Sequence, residues 1–456
     1  MSRKYFGTDG IRGVANEKLT PELAFALGQA AGRSIGNGKV VIGRDTRKSG
    51  PMLGAALASG FCSVGIDVVA LGVVPTPTVS FAAKTGGFAL GCVISASHNP
   101  APDNGIKLLG PTGGKLPDEQ ELAIEAMIDQ PLAGRPTGSA IGYLESSRSG
   151  VDAYMAFLES LVPERLDGMR VAVDCAHGAA FELAPDVLRR LGADVVVIGA
   201  EPDGNNINAE GGATKPETVQ ELVKKAGCHV GVAFDGDADR AVFSDEQGRL
   251  INGDRTIAAW AAHWQSEGML EPPVVVGTVM SNMGVEAYLQ SLGITLERAP
   301  VGDKYVSERI RATGAKIGGE QSGHIIFPQH GPTGDGLATM LEFLRVLRDR
   351  ECLASAITEA FENWPQVLIN VQINEREGWS DHPGVKAALA EAQDQIGLRG
   401  RVNVRASGTQ PMIRVMVEAD SYELRDREAE RILAAMASEL GGRVYSRVDL
   451  THALGD

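Results

Sequence analysis

Residues 40–71 read VVIGRDTRKSGPMLGAALASGFCSVGIDVVAL, in which a β-branched strand, a polar loop and an apolar helix lead to a second strand. We predict the strands at 40–45 and 66–71 and the helix at 51–63, the order of a βαβ unit. The same order recurs twice, with strands at 171–174 and 193–198 around a helix near 181–191, and strands at 274–277 and 294–298 around a helix near 284–292. Three units predict three related α/β domains with mixed sheets, although chance repetition of this common unit stays open.

The last part of the chain has a different pattern, because no glycine-rich βαβ loop occurs in it. The elements predicted there are strands at 367–373, 401–405 and 412–418, and helices at 383–396 and 422–440. This order indicates a C-terminal α+β domain, with a boundary near the Asn-Trp-Pro of 363–365. The complete prediction is four domains, which span residues 1–150, 151–252, 253–364 and 365–456.

The composition limits the class of partner. The chain has 456 residues, with 43 Lys and Arg against 58 Asp and Glu, and a net charge of −15. That balance argues against nucleic acid or an anionic membrane as a partner, because both need a basic surface. An anionic small molecule stays open, since it responds only to the local field. The five cysteines form no CxxC pair and no apolar stretch is long enough for a membrane span, so we expect a cytoplasmic protein.

The sharpest chemical signal is DGDADR at 235–240, directly after an apolar run. Asp235, Asp237 and Asp239 alternate there, and hard carboxylate oxygens at this spacing suit Mg²⁺ or Ca²⁺. An EF-hand is disfavoured because Arg240 occupies the position where that loop needs glycine, and because a strand precedes it. The alternative is a solvated acidic turn, in which the three charges would repel one another without a cation.

A second signal is the serine of SASHNP at 95–100, which follows another apolar run. Ser97 at a junction of strand and loop is well placed to be a nucleophile or a phosphoryl carrier, and Lys107 follows close behind it. Lys107 could stabilise charge or act as an acid or base. The alternatives are a serine turn with a solvated histidine and a lysine in a solvated turn.

Three further loops group polar side chains with glycines. A phosphate cradle is predicted from the guanidiniums, hydroxyls and free backbone of one loop, which has no P-loop pattern: Arg405, Ser407, Gly408, Thr409 and Arg414. GGEQSGH at 318–324 follows a strand that we predict at 315–317, and sugar hydroxyls are the expected ligands of its Glu320, Ser322 and His324. Arg12 among three glycines is a candidate phosphate contact. An ordinary hairpin and glycine-rich turns are the alternatives.

Taken together and in this order, the motifs resemble those of the α-D-phosphohexomutase superfamily over essentially the whole chain. The strings that carry the resemblance are FGTDGIRG (6–13), SASHNP (95–100), DNGIK (103–107), DGDADR (235–240), GGEQSGH (318–324) and RASGTQPMIRV (405–415). The resemblance implies four domains around a central active-site cleft, three of them related.

The resemblance also implies a role for each candidate residue. Ser97 would bear the phosphoryl group, and Mg²⁺ would be held by Asp235, Asp237 and Asp239 with the Ser97 phosphate as a fourth ligand. Arg12, Lys107 and Arg240 would neutralise the transferring group, with Lys107 and His324 as acid or base. Glu320 and Ser322 would read sugar hydroxyls, and the non-reacting phosphate would be gripped by Arg405, Ser407, Gly408, Thr409 and Arg414. Gln410 departs from the glutamate often found there, without consequence for phosphate binding.

The activity that the resemblance implies is an isomerase of amino-sugar metabolism and cell-wall precursor synthesis. It would interconvert glucosamine 6-phosphate and glucosamine 1-phosphate through a phosphoserine and glucosamine 1,6-bisphosphate, with that compound or glucose 1,6-bisphosphate as activator. Glucose or mannose phosphates as substrates, a phosphatase, and a non-catalytic Ca²⁺ or sugar-phosphate binding protein stay open. We expect a monomer or homodimer that binds neither nucleic acid nor membrane.

Overall fold

The computed structural model describes residues 4–7, 9–132, 134–374, 378–407 and 412–454. Its strands form four sheets, each from a separate stretch of chain, and the predicted class of three related α/β units followed by an α+β unit is confirmed. The domain boundaries themselves stay predictions, and the first of them falls inside a helix that spans Ser149–Ser160. Within the described ranges, no helix is both long and apolar enough to cross a bilayer.

The first unit has a six-stranded sheet in the order β1-β5-β4-β2-β3-β6. Its elements are β1 (Ile11–Val14), α1 (Pro21–Ile35), β2 (Lys39–Arg44), α2 (Gly50–Cys62), β3 (Asp67–Val73), α3 (Thr76–Thr85), β4 (Leu90–Ile94), β5 (Asp103–Leu109), α4 (Asp118–Ile128) and β6 (Leu144–Ser146). The pairs of β2 with β3 and β4 are parallel, whereas β5 runs antiparallel to β1 and β4, so the sheet is mixed as predicted.

The second and third units repeat this plan with smaller sheets, in the orders β11-β10-β9-β7-β8 and β13-β12-β14-β15. The second contains α5 (Ser149–Ser160), β7 (Arg170–Asp174), α6 (Leu183–Arg190), β8 (Asp194–Ile198), α7 (Glu217–Ala226), β9 (Val230–Phe234), β10 (Ala241–Asp245) and β11 (Leu250–Ile251). The third contains α8 (Gly253–Ser266), β12 (Val274–Thr278), α9 (Met283–Ser291), β13 (Thr295–Ala299), α10 (Asp303–Thr313), β14 (Gly318–Gly319), β15 (Ile325–Ile326), α11 (Gly336–Asp349) and α12 (Ser355–Thr358).

The repeat extends to single hydrogen bonds at the end of the central strand. Asp45, directly after β2, accepts a bond from the backbone N–H two residues on, at 2.9 Å. Asp174 at the end of β7 does the same at 2.9 Å, and Thr278 at the end of β12 does so at 3.1 Å. Each of these side chains caps the turn that leaves the strand. The repetition predicted from sequence therefore holds in the local geometry as well as in the topology.

The three motif loops occupy the same place in the three sheets. In each sheet the central strand has a parallel neighbour, which is β4, β9 or β14, and that neighbour is followed by an antiparallel strand, which is β5, β10 or β15. SASHNP, DGDADR and the second half of GGEQSGH connect these two strands. The carboxyl ends of parallel strands are where α/β sheets place their ligands, so the topology brings the loops to equivalent edges.

One sequence prediction failed here, since the strand expected at 315–317 lies at β14 itself, within the motif. Gly318 pairs with Val276 of β12, and a Cβ on Gly318 would lie 2.9 Å from the Val276 Cβ and 2.8 Å from Ile310 Cδ1. Only a residue without a side chain fits between this strand and α10. The two glycines therefore form the strand that they were expected to follow.

The fourth unit is an antiparallel sheet in the order β17-β18-β16-β19. Its elements are β16 (Gln366–Gln372), α13 (Pro383–Ile396), β17 (Gly400–Ala406), β18 (Met412–Ala419), α14 (Tyr422–Leu440) and β19 (Arg443–Asp449). Both predicted helices agree to the residue, and the three predicted strands are present with ends shifted by one position. Strand β19 at the sheet edge was not foreseen, because its side chains are mostly exposed and give no apolar pattern.

Candidate active site

Ser97 lies just beyond β4 and is buried, with 3 % of its surface exposed. Its φ is +52°, in the left-handed region that L-residues rarely adopt. Its hydroxyl donates a hydrogen bond of 2.7 Å to Asp235 Oδ2 and lies 3.3 Å from His98 Nδ1. The structure therefore joins the serine of the first unit directly to the acidic loop of the second.

The three aspartates of that loop converge as predicted. Asp235, Asp237 and Asp239 are all buried, and one carboxylate oxygen from each lies within 4.8 Å of the others. Asp237 Oδ1 is buried and accepts no hydrogen bond from the described residues, and the buried Asp239 Oδ1 has only the longer contact with His324 Nδ1, at 3.6 Å. Buried carboxylate oxygens this close together are a donor set for a hard divalent cation, so the residues fit Mg²⁺. A solvated acidic turn is excluded by their burial.

Burial and repulsion leave these carboxylates in unequal states. Burial raises the pKa of Asp235, and the neighbouring charges of Asp239 and Asp237 raise it further. Burial also disfavours ionisation of Asp239, but His324 and Lys107 outweigh it and hold the pKa of that carboxyl below its usual range. The charge of the site is therefore only partly neutralised by the protein's own cations.

Lys107 is buried on β5, so the solvated turn considered from sequence is excluded. Its Nζ lies 2.9 Å from Asp237 Oδ2 and 3.1 Å from Asp9 Oδ2. Burial alone would lower the pKa of Lys107, but Asp237, Asp9 and Asp239 overcome it and raise the pKa above its ordinary value. Lys107 is therefore a fixed cation and hydrogen-bond donor beside the acidic loop.

Four residues that complete this network were not predicted from the sequence. Thr76 donates a hydrogen bond of 2.6 Å to Asp237 Oδ2. Lys115 of the first unit lies 2.5 Å from Asp9 Oδ1 and 2.7 Å from Asp303 Oδ2 of the third. Asp9 stands inside FGTDGIRG, where attention fell on the arginine. Burial alone would raise the pKa of Asp9, but the charges of Lys107 and Lys115 outweigh it and lower that pKa. Lys115 also joins the first and third units across the site.

His324 and Arg240 flank the acidic loop on its other side. His324 Nδ1 lies 3.6 Å from Asp239 Oδ1, and the Gly334 N–H donates to Nε2 across 3.2 Å. Burial lowers the pKa of His324, but Asp239 dominates and raises it to about 9. The bond from Gly334 needs an unprotonated Nε2 and so opposes that charge, but the full charge of the Asp239 carboxylate outweighs one neutral hydrogen bond. The Arg240 N–H donates to Asp235 Oδ1 at 3.2 Å.

The acidic loop reaches, through Asp239 and Arg240, a cleft of about 880 Å³ that is lined by residues of the first three units. Its walls include the predicted residues Arg12, Ser97, Arg240, Glu320 and His324. Glu320 accepts a hydrogen bond from the Gly302 N–H at 2.9 Å. Ser322 instead lines an adjacent cavity of about 230 Å³, together with Arg240 and residues 452–454 near the chain end. The cleft is large enough for a sugar bisphosphate.

The described residues of the predicted phosphate cradle, Arg405, Ser407 and Arg414, do not line this cleft. Arg405 and Arg414 face each other in register on β17 and β18, and burial followed by the charge of Arg414 lowers the Arg405 pKa. The Ser407 N–H donates to the Met412 carbonyl at 2.8 Å and closes the hairpin. Gly408 and Thr409 lie outside the described residues, as does Gln410. The described walls of the cleft contain no residue of the fourth unit.

Comparison with known families matches all four units. The phosphoglucomutase/phosphomannomutase α/β/α domains I, II and III match residues 3–133, 152–248 and 252–364, and the C-terminal domain of that family matches residues 368–435. A phosphoglucomutase/phosphomannomutase family protein of Burkholderia thailandensis has the same fold, with a TM-score of 0.80, 27% identity, and coverage of 96% of this chain and 98% of that one. An N-acetylphosphoglucosamine mutase of Aspergillus fumigatus, solved with GlcNAc-6P and magnesium, shares the fold at 18% identity and a TM-score of 0.68, over 96% of each chain.

The fold and the site thus define a phosphohexomutase, which is an isomerase of phosphosugars. Curated relatives narrow the class. A phosphoglucosamine mutase of Symbiobacterium thermophilum is 47% identical over 96% of this chain and 99% of its own, and one of Halalkalibacterium halodurans is 44% identical with the same coverage. The chain belongs to the phosphoglucosamine mutase family.

Proposed function

We propose that the protein interconverts glucosamine 6-phosphate and glucosamine 1-phosphate, with Ser97 as the phosphoryl carrier. The observation that carries the proposal is the 2.7 Å hydrogen bond from Ser97 Oγ to Asp235, at the wall of a cleft with Arg12, Arg240 and His324. Phosphoryl transfer needs positioning and charge neutralisation more than covalent chemistry, and these groups supply both.

The reaction consists of two transfers at one site. In the first, the bond between phosphorus and Ser97 Oγ breaks while one forms to the 1-oxygen of glucosamine 6-phosphate, which yields glucosamine 1,6-bisphosphate. The intermediate then turns over in the cleft. In the second transfer, the bond between phosphorus and the 6-oxygen breaks, the phosphoryl group returns to Ser97, and glucosamine 1-phosphate leaves. Glucosamine or glucose 1,6-bisphosphate would prime an enzyme that has lost its phosphate.

Asp235, Asp237 and Asp239 are the proposed ligands of one Mg²⁺, with a phosphate oxygen on Ser97 as the fourth. When bound, the ion would neutralise charge on the transferring group. Lys107 is held at 2.9 Å from Asp237, so its ammonium would also lie near the transferring phosphoryl group. Arg12 and Arg240 approach from the walls of the cleft, and together these cations offset the charge of the phosphoryl oxygens.

Proton transfer falls to Lys107 and His324. The pKa of each is raised by neighbouring carboxylates, so both carry a proton at neutral pH. In each transfer one of the two, in its unprotonated form, would accept the proton of the attacking hydroxyl, while the other would donate a proton to the oxygen that leaves phosphorus. The two roles exchange in the reverse direction. Of the two, His324 returns to its neutral form at the lower pH.

Substrate recognition uses both sides of the cleft. Glu320 would accept hydrogen bonds from sugar hydroxyls, and Ser322 would support it from the adjacent cavity. The cradle of the fourth unit would hold the phosphate that is not reacting: Arg405, Ser407, Gly408, Thr409 and Arg414. Because its described members, Arg405, Ser407 and Arg414, do not line the cleft, the fourth unit would move toward the cleft when substrate binds. We place the reaction in the cytoplasm, in a monomer or homodimer.

The experiment that tests this function compares kcat/KM for glucosamine, glucose and mannose 6-phosphates under saturating Mg²⁺ and catalytic amounts of bisphosphate. The proposal expects the glucosamine substrate to be preferred. Preference for glucose or mannose phosphate would replace the substrate while keeping the chemistry. Stoichiometric release of inorganic phosphate without isomerisation would instead identify a phosphatase and contradict the mutase.

A further inference from the structure

Two backbone carbonyls of the serine loop are each held by two side chains. Arg47 Nη2 donates hydrogen bonds of 2.8 Å to both the Ser97 and the Asn99 carbonyls. Asn208 of the second unit donates to the same two oxygens, at 2.9 Å and 3.2 Å. The chain segment that carries the nucleophile is therefore fixed from both units at once.

Arg47 is itself completely buried and immobilised. Its Nε lies 2.8 Å from Asp45 Oδ2, and both side chains have no exposed surface. Its Nη1 donates to the carbonyls of Pro100 and Asp103, the latter at 3.0 Å. A buried arginine whose two Nη groups both donate to one loop fixes the path of that loop, because each lost bond would leave a buried polar group unpaired.

The amide side of Ser97 is connected to the same arginine. The Ser97 N–H donates to Ser95 Oγ at 2.9 Å, and the Ser95 hydroxyl donates to Asp45 Oδ2 at 2.6 Å. Asp45 in turn holds Arg47, which binds the Ser97 carbonyl. Ser97 is thus held at both its N–H and its C=O, which stabilises the unfavourable φ of +52°.

The metal loop packs against the held carbonyl. A Cβ on Gly236 would lie 2.6 Å from the Ser97 oxygen and 2.8 Å from Asn208 Nδ2. Gly236 separates Asp235 from Asp237, so the Ser97 carbonyl fixes the distance between the serine and the proposed ligands. Movement of this carbonyl would change the alignment of Ser97 Oγ with Asp235.

We propose that Arg47 and Asn208 are positioning residues for phosphoryl transfer, which hold Ser97 in line with the sugar hydroxyl through its carbonyl. The proposal rests on the proposed role of Ser97 as phosphoryl carrier. Misplacement of a reacting group by about 1 Å can cost about 100-fold in rate. Loss of the hydrogen bonds from either Arg47 or Asn208 should therefore slow the chemical step. Neither side chain needs to touch the substrate for this effect.

The test is the variant Asn208→Ala, with Asn206→Ala as its matched control. Asn206 lies on the same loop, and its side chain bonds to that loop, at Asp203 N and the Glu201 carbonyl, and to no other part of the chain that the structure describes. We expect Asn208→Ala to lower kcat by about 10- to 100-fold with KM within about twofold, whereas Asn206→Ala keeps both. We also expect a larger fraction of phosphoserine to be lost to water, measured by release of inorganic phosphate per turnover.

A second variant, Asn208→Asp, separates positioning from packing. It has nearly the same shape but places a carboxylate against two carbonyl oxygens, so kcat should fall below that of Asn208→Ala. Equal kcat for Asn208→Ala and Asn206→Ala would overturn the proposed positioning role. Equal changes in the kcat and KM of Asn208→Ala would overturn it as well. A wild-type enzyme that never carries phosphate on Ser97 would overturn the proposed function instead. If the wild type carries that phosphate while Asn208→Ala turns over normally, the positioning role is contradicted and the proposed function stands.

Discussion

The Ser97 hydroxyl donates a hydrogen bond to Asp235 across 2.7 Å, although the two residues are 138 positions apart in the chain. This contact links the loop after β4 to the loop after β9, which hold equivalent places in the first and second sheets. It places the proposed phosphoryl carrier against the proposed metal ligands. We propose that a phosphate on Ser97 would join Asp235, Asp237 and Asp239 as a ligand of Mg²⁺.

The substitution Asp235→Asn separates the metal role of this loop from its structural role. Asp235 is disfavoured as an anion because burial and two neighbouring carboxylates raise its pKa. We therefore expect the variant to have an equal or higher Tm in chelator, to show no rise in Tm with Mg²⁺, and to lose about 100-fold or more in activity. Differential scanning fluorimetry with and without Mg²⁺ checks the first two. An unaltered Mg²⁺ response would exclude Asp235 as a ligand.

The substitution Gly236→Ala tests the close packing of the two loops. The added methyl group would meet the Ser97 carbonyl at 2.6 Å, so we expect a loss of about 1–3 kcal/mol in unfolding free energy and a lower kcat. Gly134→Ala is the control, because a Cβ there meets no atom within 4 Å. Urea unfolding and steady-state kinetics measure both variants. If Gly236→Ala matches its control in both, the loops are not packed as described.

The pH dependence of stability tests the environment of His324. Because its folded pKa is raised to about 9 from an ordinary 6.5, its contribution is fully present below about pH 6.5 and is lost as pH rises through 9. In chelator, His324→Gln should lack a component of about 1.4 kcal/mol per pH unit in that window. Urea unfolding at intervals from pH 6 to 9.5 measures it. Parallel curves for wild type and variant would contradict the raised pKa.

The substitution Arg405→Ala tests the phosphate cradle of the fourth unit. Arg405 faces Arg414 in register, and no carboxylate among the described residues pairs with either, so the two guanidiniums suit a phosphate. Loss of a charge-assisted bond of about 1.5–3 kcal/mol should raise KM about 10- to 100-fold. Arg399→Ala, which removes an exposed ion pair with Asp420 in the same unit, should keep KM within about twofold. Unchanged KM for Arg405→Ala would refute the cradle.

The sequence could predict what depends on local pattern. The βαβ units, the helices α13 and α14, and the convergence of Asp235, Asp237 and Asp239 all follow from periodicity or from spacing along one loop. What it could not predict depends on packing between distant segments. Asn208 and Lys115 act on loops far from them in the chain, and neither has a neighbouring motif. The strand at Gly318 was misplaced because its glycines are explained only by their contact with β12.

The most direct measurement is the mass of the tryptic peptide that contains Ser97, before and after incubation with glucose 1,6-bisphosphate and Mg²⁺. We expect an increment of about 80 Da, the mass of one phosphoryl group, located on Ser97 by fragmentation. Excess glucosamine 6-phosphate without bisphosphate should then remove this increment from the enzyme as glucosamine 1,6-bisphosphate dissociates. A peptide without phosphate in an active enzyme, or phosphate on another residue, would show that Ser97 is not the phosphoryl carrier.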